Sequence, residues 1–202
     1  MGFIPDFGTL LSKISIFKEK RAVCLFAFVF GGQMLLRPKY VFASIADITP
    51  QFLEKENIRA LIIDLDNTLT THNNPIPKPE IKQWLDGMKA INFKMIILSN
   101  NHYERVKPFS DELGLDFVCD GGKPLTGGYK RAVERLGVDK REVASVGDQI
   151  YTDVLGCNLA GVRSIFTFPI VYETGFWFRV KRTLEKPFLP RKSRIIKEGS
   201  DL

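Results

Sequence analysis

The chain predicts an α/β fold, a doubly wound parallel sheet of about five strands with helices on both faces. Two observations carry that prediction. Short continuous apolar runs such as Ala60-Leu61-Ile62-Ile63 read as strands buried on both sides, as in a parallel sheet. Segments with apolar residues at helical spacing separate those runs, so strand and helix alternate along the chain. At 202 residues the chain holds one such domain plus appendages.

Residues 1–38 form a basic and apolar N-terminal extension with five Lys/Arg and two Asp/Glu. Leu10, Ile14 and Phe17 lie at helical spacing among Lys13, Lys18, Lys20 and Arg21, and nine apolar residues follow over 22–30. A spanning helix needs about 20 apolar residues, so this run ranks first as an interfacial anchor. A helix packed on the domain ranks second and a cleaved signal third.

Residues 39–175 form the central domain. Thr49 is a good N-cap with Pro50 behind it, opening a helix to about Asn57. The strand over 60–63 then runs into Asp64-Leu65-Asp66-Asn67-Thr68-Leu69. Three prolines and two asparagines make 72–79 a loop. A helix over 80–90 puts Ile81, Trp84, Leu85 and Met88 on one face. The second strand, 94–98, ends in Ser99-Asn100-Asn101, and a helix from there to 113 stops at Gly114. A short third strand covers 115–119, and 120–124 is a turn. Thr126 caps a helix that Gly137 ends. The fourth strand, 142–146, enters Gly147-Asp148-Gln149, a helix over 152–160 stops at Gly161, and a fifth strand runs over 163–168.

Residues 176–202 form a basic amphipathic C-terminal tail. Phe176, Trp177, Val180 and Leu184 lie close to one helical face, with Arg179, Lys181, Arg182 and Lys186 on the rest. That pattern seeks a membrane surface, the alternative being a helix packed on the sheet. The formal net charge of +6 divides as +3 over 1–38, −2 over 39–175 and +5 over 176–202. Both ends therefore suit an anionic surface. A nucleic-acid partner is not expected, because the central domain lacks a basic groove with interleaved aromatics. Cys24, Cys119 and Cys157 are odd in number and have no metal-ligand spacing, so the sequence expects a reducing cytoplasm. His72 and His102 lack a second ligand at metal-binding spacing and read as loop or surface residues.

Asp64 and Asp66 follow a buried strand at the edge where parallel sheets gather their ligands. Two acids there need a cation or a proton, and Mg2+ suits such oxygens; a polar turn ending the strand is the other reading. Ser99-Asn100, Lys123, and Asp148 with Asp153 come from later strand ends or loops at the same edge. Together they supply a nucleophile, a neighbouring acid, a hydroxyl, a cation and further carboxylates, which are the parts of phosphoryl transfer.

The order DLDNTL, SNN after an apolar strand, Lys-Pro, then GDQ with TD five residues on resembles the haloacid dehalogenase superfamily over 58–168. A wider match from Leu36-Arg37-Pro38-Lys39-Tyr40, with SNN followed by Glu104-Arg105-Val106 and the run GDQIYTDVLGCNLAG, resembles the YqeG-type branch of its class III. That branch includes phosphatidylglycerophosphate phosphatases. The resemblance implies a phosphatase with Asp64 as nucleophile and Asp66 as acid and base. Ser99, Asn100 and Lys123 would bind the phosphate with Asp64. Mg2+ would lie between Asp64, Asp148 and the Asp66 carbonyl, with Asp153 a ligand through water or a partner of Lys123.

About thirty residues part Leu69 from Ser99, and loop, helix and strand use them all, so no cap domain is expected. An open site favours a large or membrane-held substrate that shields the chemistry itself. The expected function is dephosphorylation of phosphatidylglycerophosphate on the inner face of the membrane. A soluble sugar phosphate, nucleotide or phosphoprotein is the alternative substrate, and a non-catalytic module the alternative class. The oligomeric state is not legible.

Overall fold

The structure, a computed structural model, describes residues 35–71, 74–172, 175–189 and 196. Most of the expected N-terminal anchor, His72 and Cys24 lie outside the described residues.

Six parallel strands form one sheet in the order β1-β6-β5-β2-β3-β4. These are β1 (Tyr40–Phe42), β2 (Ala60–Ile63), β3 (Lys94–Leu98), β4 (Asp116–Val118), β5 (Val143–Gly147) and β6 (Arg163–Thr167). Between them run α1 (Pro50–Lys55), α2 (Pro79–Ala90), α3 (Tyr103–Leu113), α4 (Gly127–Leu136) and α5 (Leu155–Ala160), and α6 (Phe176–Glu185) follows β6. The sheet has one strand more than expected. The extra one is β1, only three residues long, which pairs with β6 through Val41 opposite Phe166. Too short to show a period, it reads in the sequence as a lead-in.

Because side chains alternate across a strand, each strand feeds two cores. Leu61 and Ile63 join Ile97 and Val146 in a cluster with Leu53 of α1, Leu85 of α2 and Phe109 of α3. Ala60 and Ile62 join Ile96 and Val143 on the other face with Tyr129 and Leu136 of α4. At the β1–β6 side, Val41 and Phe166 pack with Ile150, Leu155 and Leu36. Leu36, placed in the N-terminal extension by the sequence reading, is thus a core residue.

Local signals act as expected at Thr49, whose hydroxyl accepts from the Phe52 N–H at 3.2 Å. Trp84 packs against the first core and donates its indole N–H to Ile48 O at 2.7 Å. Gly114, Gly137 and Gly161 end their helices with φ of 57°, 63° and 71°. Thr126 differs: it is already helical, and its side chain makes no capping bond. No cap domain interrupts the described residues, since the path from β2 to β3 holds only α2 and that from β3 to Lys123 only α3 and β4. No described helix is long and apolar enough to cross a membrane.

Candidate active site

Four carboxyl ends of neighbouring strands build the site. Backbone pairing carries β2 one residue further, with Asp64 N–H donating to Val146 O at 2.9 Å, so Asp64 sits beside the end of β5. Ser99 follows β3 in the same way, bonded to Val118 O at 3.0 Å. The loop carrying Lys123 then folds back on Ser99, whose carbonyl accepts from Gly121 N–H at 2.9 Å. A Cβ on Gly121 would lie 2.9 Å from that carbonyl, so only glycine permits the approach. The Asn100 side chain clamps the loop from both directions. It accepts from Lys123 N–H at 2.7 Å and donates to Lys123 O at 3.1 Å. Its side chain therefore serves the loop.

Lys123, 4% exposed, stands between two acids, with Nζ 2.5 Å from Asp64 and 2.6 Å from Asp153. Burial disfavours its ammonium, but Asp153 and Asp64 more than offset this and hold its pKa above the usual lysine range. Asp153 lies in a π-helical turn, Ile150–Val154, that leads into α5. Such turns recur at functional sites because the extra residue re-aims a side chain. Gln149 N–H and the Thr152 hydroxyl donate to the second Asp153 oxygen at 3.1 and 3.4 Å, and Tyr129 of α4 donates to the Asp153 carbonyl at 3.0 Å. Gly147 makes room for this turn: a Cβ there would come within 2.5 Å of the Asp153 side chain.

Asp64, Asp148 and Asp153 bring carboxylate oxygens within 4.8 Å of one another. Burial pushes the Asp64 carboxyl well above its ordinary range; Lys123 offsets part of this, while Asp153 and Asp148 push it further up. Burial likewise raises Asp148, to about 7, against the pull of Arg182. Three acids face two cations, Lys123 and Arg182, and the buried Asp148 Oδ1 has no hydrogen-bond partner. An unpaired buried carboxylate oxygen beside two more carboxylates fits a hard divalent cation.

The haloacid dehalogenase-like hydrolase family matches residues 71–161, and the family described as mitochondrial PGP phosphatase matches residues 21–107. The Bacillus subtilis (strain 168) protein named "Probable phosphatase YqeG" is 36% identical over 157 residues, covering 78% of this chain and 91% of that relative. This chain belongs to the YqeG-type haloacid dehalogenase-like phosphatases. A second relative, phosphatidylglycerophosphate phosphatase 1, chloroplastic/mitochondrial, of Arabidopsis thaliana, is 24% identical over 151 residues, 70% of this chain and 43% of that one. The chain spans less than half of that relative. The cobalt-bound deoxy-D-mannose-octulosonate 8-phosphate phosphatase of Haemophilus influenzae aligns at 18% identity and a TM-score of 0.46, over 62% of this chain and 75% of that one. Likeness at that level assigns no chemistry.

In this phosphatase the side chain of Asp66 stands apart from the other three acids. Asn101 donates to one of its oxygens at 2.7 Å and Arg105 to the other at 3.0 Å. Ser99 is buried, and its hydroxyl accepts from Asn101 N–H at 3.2 Å. His102 begins α3 with its ring exposed and 2.5 Å from Asp120, away from any metal-binding group. Cys119 and Cys157 are free thiols.

Three residues of the phosphatase site have no assigned part in the sequence reading. Asn101 and Arg105 hold Asp66; Asn101 closes the SNN stretch and Arg105 lies four residues on, but the sequence reading gives neither a role. Arg182 reaches back from α6 and bonds both the carbonyl and the side chain of Asp148. The sequence reading groups Arg182 with the tail's other basic residues, as part of a membrane-surface helix, whereas its side chain is turned onto the domain and only 18% exposed. Its neighbour Glu185 is buried and accepts from Ile150 N–H at 3.0 Å, while Tyr151 donates to Leu184 O at 3.0 Å. Helix α6 is therefore docked on the loop after β5.

Proposed function

We propose that this phosphatase is a Mg2+-dependent phosphomonoesterase that works through an aspartyl-phosphate on Asp64 and acts on phosphatidylglycerophosphate at a membrane surface. The observation that carries the chemistry is the buried Lys123 gripping Asp64 and Asp153, with an orphan oxygen of Asp148 beside them. Asp64 attacks phosphorus, the bond to the leaving oxygen breaks, and Asp66 gives that oxygen its proton. Asp66, now a carboxylate, takes a proton from a water that attacks the same phosphorus, and inorganic phosphate leaves Asp64 free. Ser99 and nearby backbone N–H groups bind the phosphoryl oxygens, and Lys123 neutralises charge on Asp64 and the phosphate. Asp64, Asp148 and the Asp66 carbonyl would hold Mg2+, which would supply positive charge against those oxygens. Asp153, fully engaged by Lys123, Gln149 and Thr152, holds the lysine in place.

Asp148 makes this binding pH-dependent. Its carboxyl is raised to about 7, so below that pH the protonated form dominates and cannot ligate. Mg2+ binding is favoured above the raised value and lost below it. The Mg2+ concentration giving half-maximal hydrolysis of an aryl phosphate should rise by up to about tenfold per pH unit below neutrality. Mg2+ titrations in acidic and in mildly alkaline buffer check this, and an unchanged midpoint would contradict it.

The membrane reading rests on the activity named for the Arabidopsis thaliana relative, the open site and its surroundings. Ile76, Tyr103, Val171 and Tyr172 are exposed on segments that follow β2, β3 and β6, at the carboxyl edge of the sheet where the site lies. Exposed apolar side chains at that edge of a capless site suit an acyl-chain interface, and the basic ends suit its anionic head groups. The test compares phosphate release from phosphatidylglycerophosphate in phosphatidylglycerol vesicles with release from soluble glycerol phosphates, nucleotides and phosphopeptides. Vesicle substrate should be preferred by at least about tenfold and the preference should shrink with salt, because exposed charge attraction is screened within about 8 Å at physiological ionic strength. Preference for a soluble substrate, indifferent to vesicles, would reverse the assignment.

A further inference from the structure

We propose that Arg182 is a positioning residue of the active site: by holding one oxygen of Asp148 it presents the other to a divalent cation, which makes helix α6 part of the catalytic unit. The inference rests on the metal reading above and adds a residue to it.

The two oxygens of Asp148 differ. Oδ2 receives the Arg182 guanidinium, which also bonds the Asp148 carbonyl. Oδ1 is buried with no partner, although Asp148 as a whole is 0% exposed. A carboxylate is free to turn about its last torsion, and a turn would exchange the two oxygens. Gripping Oδ2 and the backbone carbonyl together fixes that torsion, because the guanidinium fork is rigid and planar. Asp64, Asp148 and Asp153 each bring one carboxylate oxygen within 4.8 Å of the others, and on this proposal Oδ1 is the one that Asp148 contributes.

The fork is itself held. Glu185 accepts from Arg182 at 3.1 Å and, with its other oxygen, from Ile150 N–H at 3.0 Å, two residues past Asp148. Arg182 is thus tied to the same loop that it orients, through a buried carboxylate one helical turn away. A lysine in its place would offer a point charge and could not span both acceptors. The opposite reading is that Arg182 stands in for the cation and must leave when one arrives. The two readings predict opposite signs for metal affinity.

The deciding experiment is calorimetric titration of Mg2+ into the full-length wild type, Arg182→Ala, Arg182→Lys and Glu185→Gln, each first checked by thermal melting without Mg2+. On this proposal Arg182→Ala weakens Mg2+ binding at least tenfold, and Arg182→Lys recovers part of it. Glu185→Gln weakens binding several-fold. Hydrolysis of an aryl phosphate by Arg182→Ala should recover most of its rate as Mg2+ is raised, a recovery that loss of a merely structural contact would not give. If Arg182→Ala does not fold, Arg182→Lys and Glu185→Gln decide, and wild-type affinity in both overturns the proposal. Equal or tighter Mg2+ binding by Arg182→Ala overturns it too, in favour of a displaced arginine. A wild type that binds no Mg2+ overturns the metal reading and this inference with it, whereas normal wild-type binding with unaffected variants overturns this inference alone.

Discussion

Asp64→Asn is expected to cut phosphate release by at least about a thousand-fold, which is roughly 4 kcal/mol of transition-state stabilisation. The amide can still accept from Lys123, now 2.5 Å from the carboxylate, so the geometry has little reason to move. What is lost is the nucleophile. The fold should not suffer, because burial already disfavours the charged form of Asp64 and pushes its carboxyl well above the ordinary range. The metal-free variant should therefore melt at or above the wild-type temperature while being inactive. Asp66→Asn should fail differently: phosphate taken from the substrate stays on the protein, since the second step lacks its base, and mass spectrometry of acid-quenched protein would detect the phosphoryl adduct. Near-normal turnover by Asp64→Asn would sink the aspartyl-phosphate mechanism.

Lys123→Ala should damage both stability and rate. With the ammonium gone, Asp64 and Asp153 face each other across a buried space that no described side chain can fill with charge. Removing one partner of a buried ion pair costs about 3–5 kcal/mol, because the remaining charge is left without compensation. Mg2+ should restore part of that loss, since it binds the same acids. Turnover should still fall about a hundred-fold or more, as for loss of a donor aimed at developing charge. Urea melts with and without Mg2+ check the first claim and single-turnover assays the second. A variant that melts like the wild type in the absence of metal would show that Lys123 is not the counter-charge described here.

Asp64, Ser99 and Asp148 were legible because each breaks an apolar period where a strand must end, and Lys123 because it stands in the loop after the third strand with the Lys-Pro pair of the resemblance. A parallel sheet brings all such ends to one edge, so their common place needed no tertiary detail. Asp153 was legible by its spacing from Asp148, although the π-helical turn that aims it was not. The three residues of β1 carry no period of their own, and only pairing with β6 defines them as a strand. Thr126 carries the right residue type for a cap, but its backbone is already helical, and propensity gave way to the loop geometry after Lys123. Arg182 was least legible of all. It is one of several basic residues spaced along the tail, and nothing local marks which of them will meet an acid 34 residues away. Arg105 posed the same difficulty across 39 residues, its partner Asp66 lying at the end of the neighbouring strand.

The short bridge between Ile196 and Phe42 has a consequence for how the two basic ends act. Ile196 donates its N–H to Val41 O at 2.9 Å, and Leu35, where the described chain begins, packs at the same β1–β6 side with Val41 and Phe166. The first and last described residues thus lie at one flank of the sheet. On an anionic surface the two basic ends would work as a tethered pair: once one is seated, the other searches at an effective concentration of order mM rather than at its concentration in bulk. Their separate, weak affinities then combine as a product. A hold of this kind is steep in its dependence on lipid charge, yet each contact can release singly, which would let the enzyme step from one lipid to the next without leaving the surface.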